Sequence, residues 1–472
     1  MVKAIGRVFV NKNEQGIYLG KLIENIINTK YEDIPSEIIA HAKNRIIDAI
    51  GCLICGAKDT GNPELINIIR KWGGNPEATV LVYGDKVPVI NAAMANCILC
   101  RSFDYEPVSP MVNGISVPGH ISGTTVMTAL AVGEWVNASG KEVITSLLVG
   151  DDIATRVLVA GKGSGTRRGF DHIGQANSFG AVAIGGRLIG LNFSQMRNAF
   201  GLVINHLGGS QQMISDLTTG FKLSQGTAAR DGIFAVLLAQ AGWTGPENAL
   251  LAEFGYYSLY TDGIRDPEIL IKDLGKKYYS DGTFKPYPCC RINHAAIDCA
   301  LSLKKDYGIE SRNIQEVILY ASPGALRDVL GKPFKVGNFP HGSAGFSLQY
   351  NVANALLRGY PIPEHFTEQA IRDPQIGEFV TRIKMAELTE GKPESAGLKV
   401  IMTDGRVLEK FVEIARGDPQ NPISREEILN KFWHNIEFAG TITKENAEKI
   451  LRIIDEIEKI DSIRELINLV VA

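Results

Sequence analysis

Four short stretches carry most of the side chains able to do chemistry: "RSFDYEP" at 101–107, "PGHISGTT" at 118–125, "TTGFKLSQGTAARDG" at 218–232 and "KPYPCCRINHAAID" at 285–298. Between them they hold an acid (Asp104), two histidines (His120 and His294), a lysine (Lys222) and an arginine (Arg291). Such a set binds carboxylates and moves protons near neutral pH. His120 stands between a Pro-Gly pair and the run "ISGTTVMTALAVGE", which reads as the start of a helix. The positive end of a helix dipole favours a neutral imidazole, and its free N–H groups favour an anion. The reaction that fits begins by removing a proton from a carbon next to a carboxylate. Negative charge then builds on the carboxylate oxygens and needs cations or N–H donors fixed in place, a task for Lys222, Arg291 and the helix start. Loss of a β-hydroxyl from that intermediate makes a dehydratase, reprotonation on the other face an epimerase; decarboxylation reaches a similar carbanion. Each route needs a general acid, and the histidines supply it.

These groups must be positioned by the elements around them. Apolar residues recur at helical spacing over 36–57, 90–103, 122–137, 141–160, 176–190, 195–206 and 227–241, and several of these runs are apolar nearly all round, as in helices buried on most faces. Small residues such as those of "FGAVAIGGRLIGL" let helices approach closely. After about residue 275 the pattern changes. "IQEVILYAS" (314–322) reads as a strand and "GLKVIMTDGRVLEKFVEIA" (397–415) as a hairpin turning at Asp404-Gly405, with helices expected at 344–358 and 367–386. Ser424 and Glu427 have the spacing of a capping box, and the rest of the chain reads as helical. The fold class that follows is mainly α with a smaller α+β domain: a helical domain (1–274), an α+β lid (275–415), and a helical return (416–472). A cleft between the two domains is the expected pocket, with closure of the lid bringing His294 toward His120 and Lys222.

Composition narrows the partners. The 472 residues are 45% hydrophobic and 21% charged with a formal charge of -3, and no basic stripe accumulates, which argues against a nucleic acid or an anionic membrane. The opening "MVKAIGRVFVNKNEQG" lacks the apolar core of a signal peptide and no run is long enough to span a bilayer, so the chain reads as cytoplasmic. Two CxxC pairs, Cys52/Cys55 and Cys97/Cys100, have a zinc-compatible spacing but lie in apolar helical runs, so they are read as core residues and not as a metal site. Cys289 and Cys290 follow "KPYP" in an expected loop. "GKGSGT" at 161–166 lacks both a preceding strand and the Gly-Lys-Ser/Thr of a phosphate loop. With no metal-ligand cluster and no dinucleotide fingerprint, no cofactor is expected.

As a group, the segments resemble those of the MmgE/PrpD family, which includes 2-methylcitrate dehydratase, cis-aconitate decarboxylase and iminodisuccinate epimerase. "HISGTTVMTALAVGE" is similar to the family's His-Pro-Ser-Gly helix start, and "GTAARDGIFAVLLAQAGWTGP" to its Ala-Ala, Gly and Thr-Gly-Pro pattern. "KPYPCCRINHAAID" resembles its Lys-Pro-Tyr-Pro segment, and "AGFSLQYNVANALLRG" its Phe-Ser-Leu-Gln-Tyr helix. The resemblance covers nearly the whole chain. It implies a helical domain with a lid domain, a homodimer, and a small polycarboxylate substrate. It also implies catalytic roles for Asp104, at the first acid of the Asp-Phe-Asp-Asp motif, for His120, for His294, six residues past the proline of the Tyr-Pro step, and for Lys222. Arg291, Tyr287, His172 and Ser122 are the substrate-binding candidates, whereas His41, His206, His341, His365 and His434 are read as structural.

The chain departs from the family pattern in three places. Lys222 lies four residues before Gly226 where the family has five, Ile121 replaces a proline, and Glu106-Pro107-Val108 replaces Asp-Asp-Thr, which removes a hydroxyl. The first expectation is a hydro-lyase acting on a hydroxylated di- or tricarboxylate such as 2-methylcitrate. An epimerase or decarboxylase on the same scaffold is the alternative, which the loss of the hydroxyl at Val108 keeps open, and a helical binding protein without activity is the distant one.

Overall fold

Six helices make the centre of the molecule: Ser36–Gly56, Val89–Arg101, Ser122–Val136, Gly140–Ala160, Ile173–Leu188 and Leu223–Gln240. In the computed structural model, which describes residues 15–163 and 169–472, they pack on one another in a continuous network. The all-round apolar pattern has the expected consequence: Ile173–Leu188 is buried without a break from Ile173 to Gly186. A helix with no solvent face draws its stability from packing. Small residues set the distance. A Cβ on Gly232 would stand 2.5 Å from that of Ala181, and one on Gly226 would stand 2.7 Å from the Met94 carbonyl oxygen. Helix Leu223–Gln240 therefore lies against two neighbours at a separation that only glycine permits.

The α+β part is a four-stranded sheet in the order Ile383–Glu387, Ile314–Ala321, Ala396–Met402, Val407–Val412. The first pair is parallel and the other two antiparallel. The expected hairpin forms, with Gly405 at φ +87° in its turn. Helices His294–Tyr307 and Leu348–Arg358 pack together, the former also against the sheet. The expected helix at 367–386 is corrected: Glu368–Ile371 and Pro374–Phe379 are separate short helices, and Ile383–Glu387 is a strand. Pro374 cannot continue a helix that enters from Arg372 and Asp373, and instead starts a new one capped by Asp373. The helix expected at 344–358 is likewise two, Pro340–Gly345 and Leu348–Arg358, parted where the Ser347 side chain caps the second. Ser424 and Glu427 form the capping box of Arg425–Ala439, which packs back on Ser36–Gly56. The chain is thus mainly helical with a smaller α+β part.

A third element lies beside the site. Strands Val108–Val112 and Ile115–Ser116 form a hairpin whose turn is Asn113-Gly114, both at positive φ, and Asp281–Thr283 pairs along the other edge of Val108–Val112. An Asn-Gly pair is a strong hairpin signal, and it lies between the helical runs at 90–103 and 122–137, where the periodicity assigns no element. The pairing ties residues 281–283 to the helical part. Across a cleft of about 350 Å³, Ser109, Ser116 and Pro118 face Arg291, Lys392 and Glu394. The glycine cluster at 161–166 runs into residues outside the described ones, as does the opening segment 1–14.

Candidate active site

The end of helix Val89–Arg101 delivers Arg101, and the turn that follows delivers Asp104 and Glu106. Asp104 has φ +47°, a left-handed conformation that is costly for a residue with a Cβ and collects at functional sites. His120 arrives just ahead of helix Ser122–Val136. Arg101 bonds Asp104 and reaches Glu106 Oε1 at 3.1 Å, while His120 Nδ1 lies 2.9 Å from that same oxygen. Lys285, fully buried at the head of "KPYP", donates to the Asp104 carbonyl at 2.6 Å and to its carboxylate at 2.5 Å. Gln225 Nε2 adds a bond of 2.8 Å to Glu106 Oε1.

Charge governs the protonation states here. Burial alone would raise both carboxyls, yet Arg101, with Lys285 on Asp104 and His120 on Glu106, more than offsets it: Asp104 falls well below the usual carboxylate range and Glu106 falls to about 2. Burial and Arg101 hold His120 down to about 4 against the opposing pull of Glu106, so the ring is neutral at pH 7. The tautomer follows. Ionised Glu106 can only accept and Arg101 can only donate; Arg101 Nη1 also lies 3.1 Å from Nδ1, but its two hydrogens already have Asp104 and Glu106 as acceptors. Nδ1 therefore carries the proton and donates it to Glu106, which leaves the Nε2 lone pair free. The His120 side chain keeps 17% of its surface exposed while Arg101, Glu106 and Lys285 keep 2% or less, so the ring is the part of the cluster that a small molecule can reach.

The ligand atoms of Asp104, Glu106 and His120 lie within 4.8 Å of one another, a spacing a metal ion can use. The donor set does not fit one: Arg101 and Lys285 already place two fixed positive charges against the two carboxylates. The two CxxC pairs are core residues. Cys52, Cys55, Cys97 and Cys100 are free and buried, and Cys97 and Cys100 direct their sulfurs at the carbonyls of Thr124 and Ala49. Burial pushes all four thiols up.

Of the expected catalytic residues, Asp104 and His120 come together. His294 is fully buried, its Nε2 3.3 Å from the Cys289 carbonyl oxygen and its Nδ1 3.5 Å from Arg291. Burial, Arg291 and Lys285 keep it neutral, against a weaker influence of Asp104, so it is within electrostatic range of the cluster without touching it. Lys222 goes elsewhere. Its ammonium bonds Asp59, the Thr60 carbonyl at 2.8 Å and Asn62 at 3.3 Å, and His341 lies 3.1 Å from the other oxygen of Asp59. This second cluster borders a cavity of about 200 Å³; His341, expected to be merely structural, joins two parts of the chain there.

The binding candidates divide in the same way. His172 has both ring nitrogens buried and without a hydrogen-bond partner among the described residues, close enough to Arg101 to feel its charge. Burial keeps it neutral. Arg291 lines the cleft but is engaged by the carbonyls of Ala415 and Arg416 and by Glu394. Tyr287 turns its hydroxyl to Asp298 at 2.6 Å. Ser122 is buried, with its amide on Asp281 at 2.7 Å and its hydroxyl 3.4 Å from Arg45. Two of the N–H groups at this helix start, expected to bind a substrate anion, those of Ile121 and Ser122, are thus taken up by an internal carboxylate.

Sequence reasoning missed Arg101, Lys285, Gln225, Asn177 and Asp281. Arg101 and Lys285 open two of the quoted segments, and the signal available for them was that two neighbouring acids at 104 and 106 need cations if buried. For Asp281, in "YYSDGT", an ordinary turn is the natural reading.

A neutral histidine with a fixed tautomer, set in a charge-balanced bed of two acids and two cations, can take up one proton at Nε2 and then give it back. Among the described residues no helix is long and apolar enough to cross a membrane. The chain is 22% identical to the cis-aconitate decarboxylase of Mus musculus over 460 residues, 93% of this chain and 90% of that protein. It is 24% identical to the cis-aconitate decarboxylase of Aspergillus terreus over 477 residues, 93% of this chain and 94% of that one. A cis-aconitate decarboxylase-like protein of Aspergillus oryzae is 22% identical over 480 residues, 97% and 98% of the two chains. The family model of the MmgE/PrpD N-terminal domain matches residues 20–267 and that of the MmgE/PrpD C-terminal domain residues 287–459, so the chain belongs to the MmgE/PrpD family.

Proposed function

We propose that this protein is a lyase of small polycarboxylates that works through a carbanion next to a carboxylate, with His120 giving or taking the proton. The observation that supports this reading is the ring itself: Nδ1 is committed to Glu106 at 2.9 Å, and the ring is neutral and partly open. An anionic substrate bound beside it adds negative charge and raises the affinity of Nε2 for a proton. Protonated His120 then donates to the carbanion that CO2 leaves behind. Neutral His120 can instead remove a proton from a carbon whose β-hydroxyl departs. The names of the relatives favour decarboxylation as the first reaction to test. Dehydration is the second reading, favoured by the neutral state of His120, whose open ring can take the proton that this reaction removes.

The test is turnover in D2O with cis-aconitate, 2-methylcitrate, citrate and iminodisuccinate in parallel. Decarboxylation releases CO2 and leaves deuterium where it departed, epimerisation places deuterium on the carbon that loses its proton, and dehydration forms the alkene, with deuterium entering recovered substrate only as far as proton removal is reversible. His120→Asn is expected to slow the active reaction by about 10²-fold or more. Turnover by that variant within about threefold of the parent would remove His120 from the mechanism.

A further inference from the structure

The peptide that joins His120 to Ile121 is held at both ends. Its carbonyl accepts a hydrogen bond from Asn177 Nδ2 at 2.7 Å, and its N–H donates to Asp281 Oδ2 at 2.9 Å. The same Asp281 oxygen accepts the Ser122 N–H at 2.7 Å. Asp281 is fully buried and comes from a strand remote in sequence, where it pairs with Pro110. We propose that Asp281 is a positioning residue for His120, acting through the His120–Ile121 peptide to fix the direction of the ring without touching the substrate. The inference rests on the reading of His120 as the proton carrier.

Two further features favour this role over simple helix capping. First, the negative charge that the helix start attracts is supplied from within, and one peptide separates it from the reacting ring. Second, the charged groups facing Asp281 leave it only weakly held as an anion. His41 and Arg45 reach it from helix Ser36–Gly56, His41 through the Asp281 carbonyl at 3.1 Å; Asp151 faces it from helix Gly140–Ala160, with Arg45 paired to Asp151 at 2.6 Å. Among the described residues no hydrogen bond to Asp281 Oδ1 matches the two that its Oδ2 accepts from the amides. Burial pushes the carboxyl up to about 7, against the lowering effect of the Ser122 bonds and Arg45. Above that pH an anion grips both amides. Below it a neutral acid holds them less firmly, and the ring of His120 is freed to turn.

The experiment follows the ring itself. In histidine-labelled protein, the His120 Cε1–H signal, identified by its loss in His120→Asn, should shift through a second inflection near pH 7, apart from the ring's own titration near 4. Asp281→Asn keeps an oxygen acceptor but no charge, so it should abolish that inflection and leave the signals of His206 and His434 in place. With an active substrate, kcat should rise across pH 6–8 in the parent at constant KM. In Asp281→Asn it should be flat and about tenfold lower at pH 8. A cap with no other role would lower kcat evenly and leave the shape of the profile intact. The third measurement needs no variant: protection of the Ile121 and Ser122 amides against exchange, corrected for the intrinsic rate, should fall between pH 8 and pH 6. Persistence of the His120 inflection in Asp281→Asn, or protection that is constant with pH, overturns the proposal. The magnetic resonance and exchange arms need no substrate, so they distinguish failure of this inference from failure of the proposed reaction.

Discussion

The pair Glu106 and His120 allows a graded test in which charge and orientation are removed separately. Three donors converge on Glu106 Oε1, from His120 at 2.9 Å, Arg101 at 3.1 Å and Gln225 at 2.8 Å, while Oε2 has no partner among the described residues. Glu106→Gln can therefore place its amide oxygen where the three donors meet and its NH2 on the unpartnered side. The tautomer of His120 survives and the negative charge does not. A hydrogen bond to a charged group is worth about 1.5–3 kcal/mol and a neutral one about 0.5–1.5, so the change removes about 1–1.5 kcal/mol of support for the imidazolium. That equals about tenfold in rate and about one unit off the ring's affinity for a proton. Glu106→Ala removes the acceptor as well, so the ring loses both charge and orientation, and the fall expected from loss of an orienting acid is about 10²–10⁴-fold. Turnover of the active polycarboxylate in parent, Gln and Ala forms reads the series, and a urea titration of each separates lost chemistry from lost folding. If both variants turned over within about threefold of the parent, the Glu106–His120 pair would not be the proton-transfer unit.

The remaining predictions concern parts of the molecule outside that pair. Lys222→Met leaves Asp59 buried with His341 alone, so it should cost about 3 kcal/mol of stability in a urea titration and change kcat less than Glu106→Ala does; a loss of kcat with unchanged stability would return Lys222 to the reacting centre. Burial alone would raise Asp59, but His341 and Lys222 bring it down to about 2. The stability it contributes is present above the ordinary carboxylate range and is lost as the pH falls through about 2, a loss that Asp59→Asn should remove from the acid limb of the unfolding profile. The buried cysteines predict slow labelling of Cys52, Cys55, Cys97 and Cys100 by a thiol reagent in native protein, fast labelling in urea, and well under one zinc per chain by metal analysis. Stoichiometric zinc lost on Cys52→Ala would reverse their assignment to the core.

The contrast between Lys222 and Lys285 shows what the sequence discloses about such a site and what it withholds. Periodicity recovers the buried helices, because a helix without a polar face has one possible environment, and the alternation at 397–415 recovers the hairpin for a similar reason. It fails at 367–386, where Pro374 divides a run whose residues otherwise suit a helix. Residue type also reveals which side chains can ionise, and so Asp104 and His120 could be picked out from their segments alone. Pairing is another matter. Both lysines lie in segments with the right chemistry, yet the cation that meets Asp104 is Lys285, while Lys222 is drawn to Asp59, far away in the chain. Partner choice depends on the direction in which a turn points a long side chain, and no local spacing encodes that. The helix start is a parallel case, since dipole and free N–H groups do attract an anion there, but the nearest one is Asp281. The cluster's two acids are already matched by two fixed cations. On the function proposed above, an anionic substrate would find its compensating charge in a group that can change, and His120, neutral at pH 7 in the free protein, is the group in the cluster placed to acquire it. In that proposal the approach of the substrate draws a proton onto the ring, which then passes it to the carbanion.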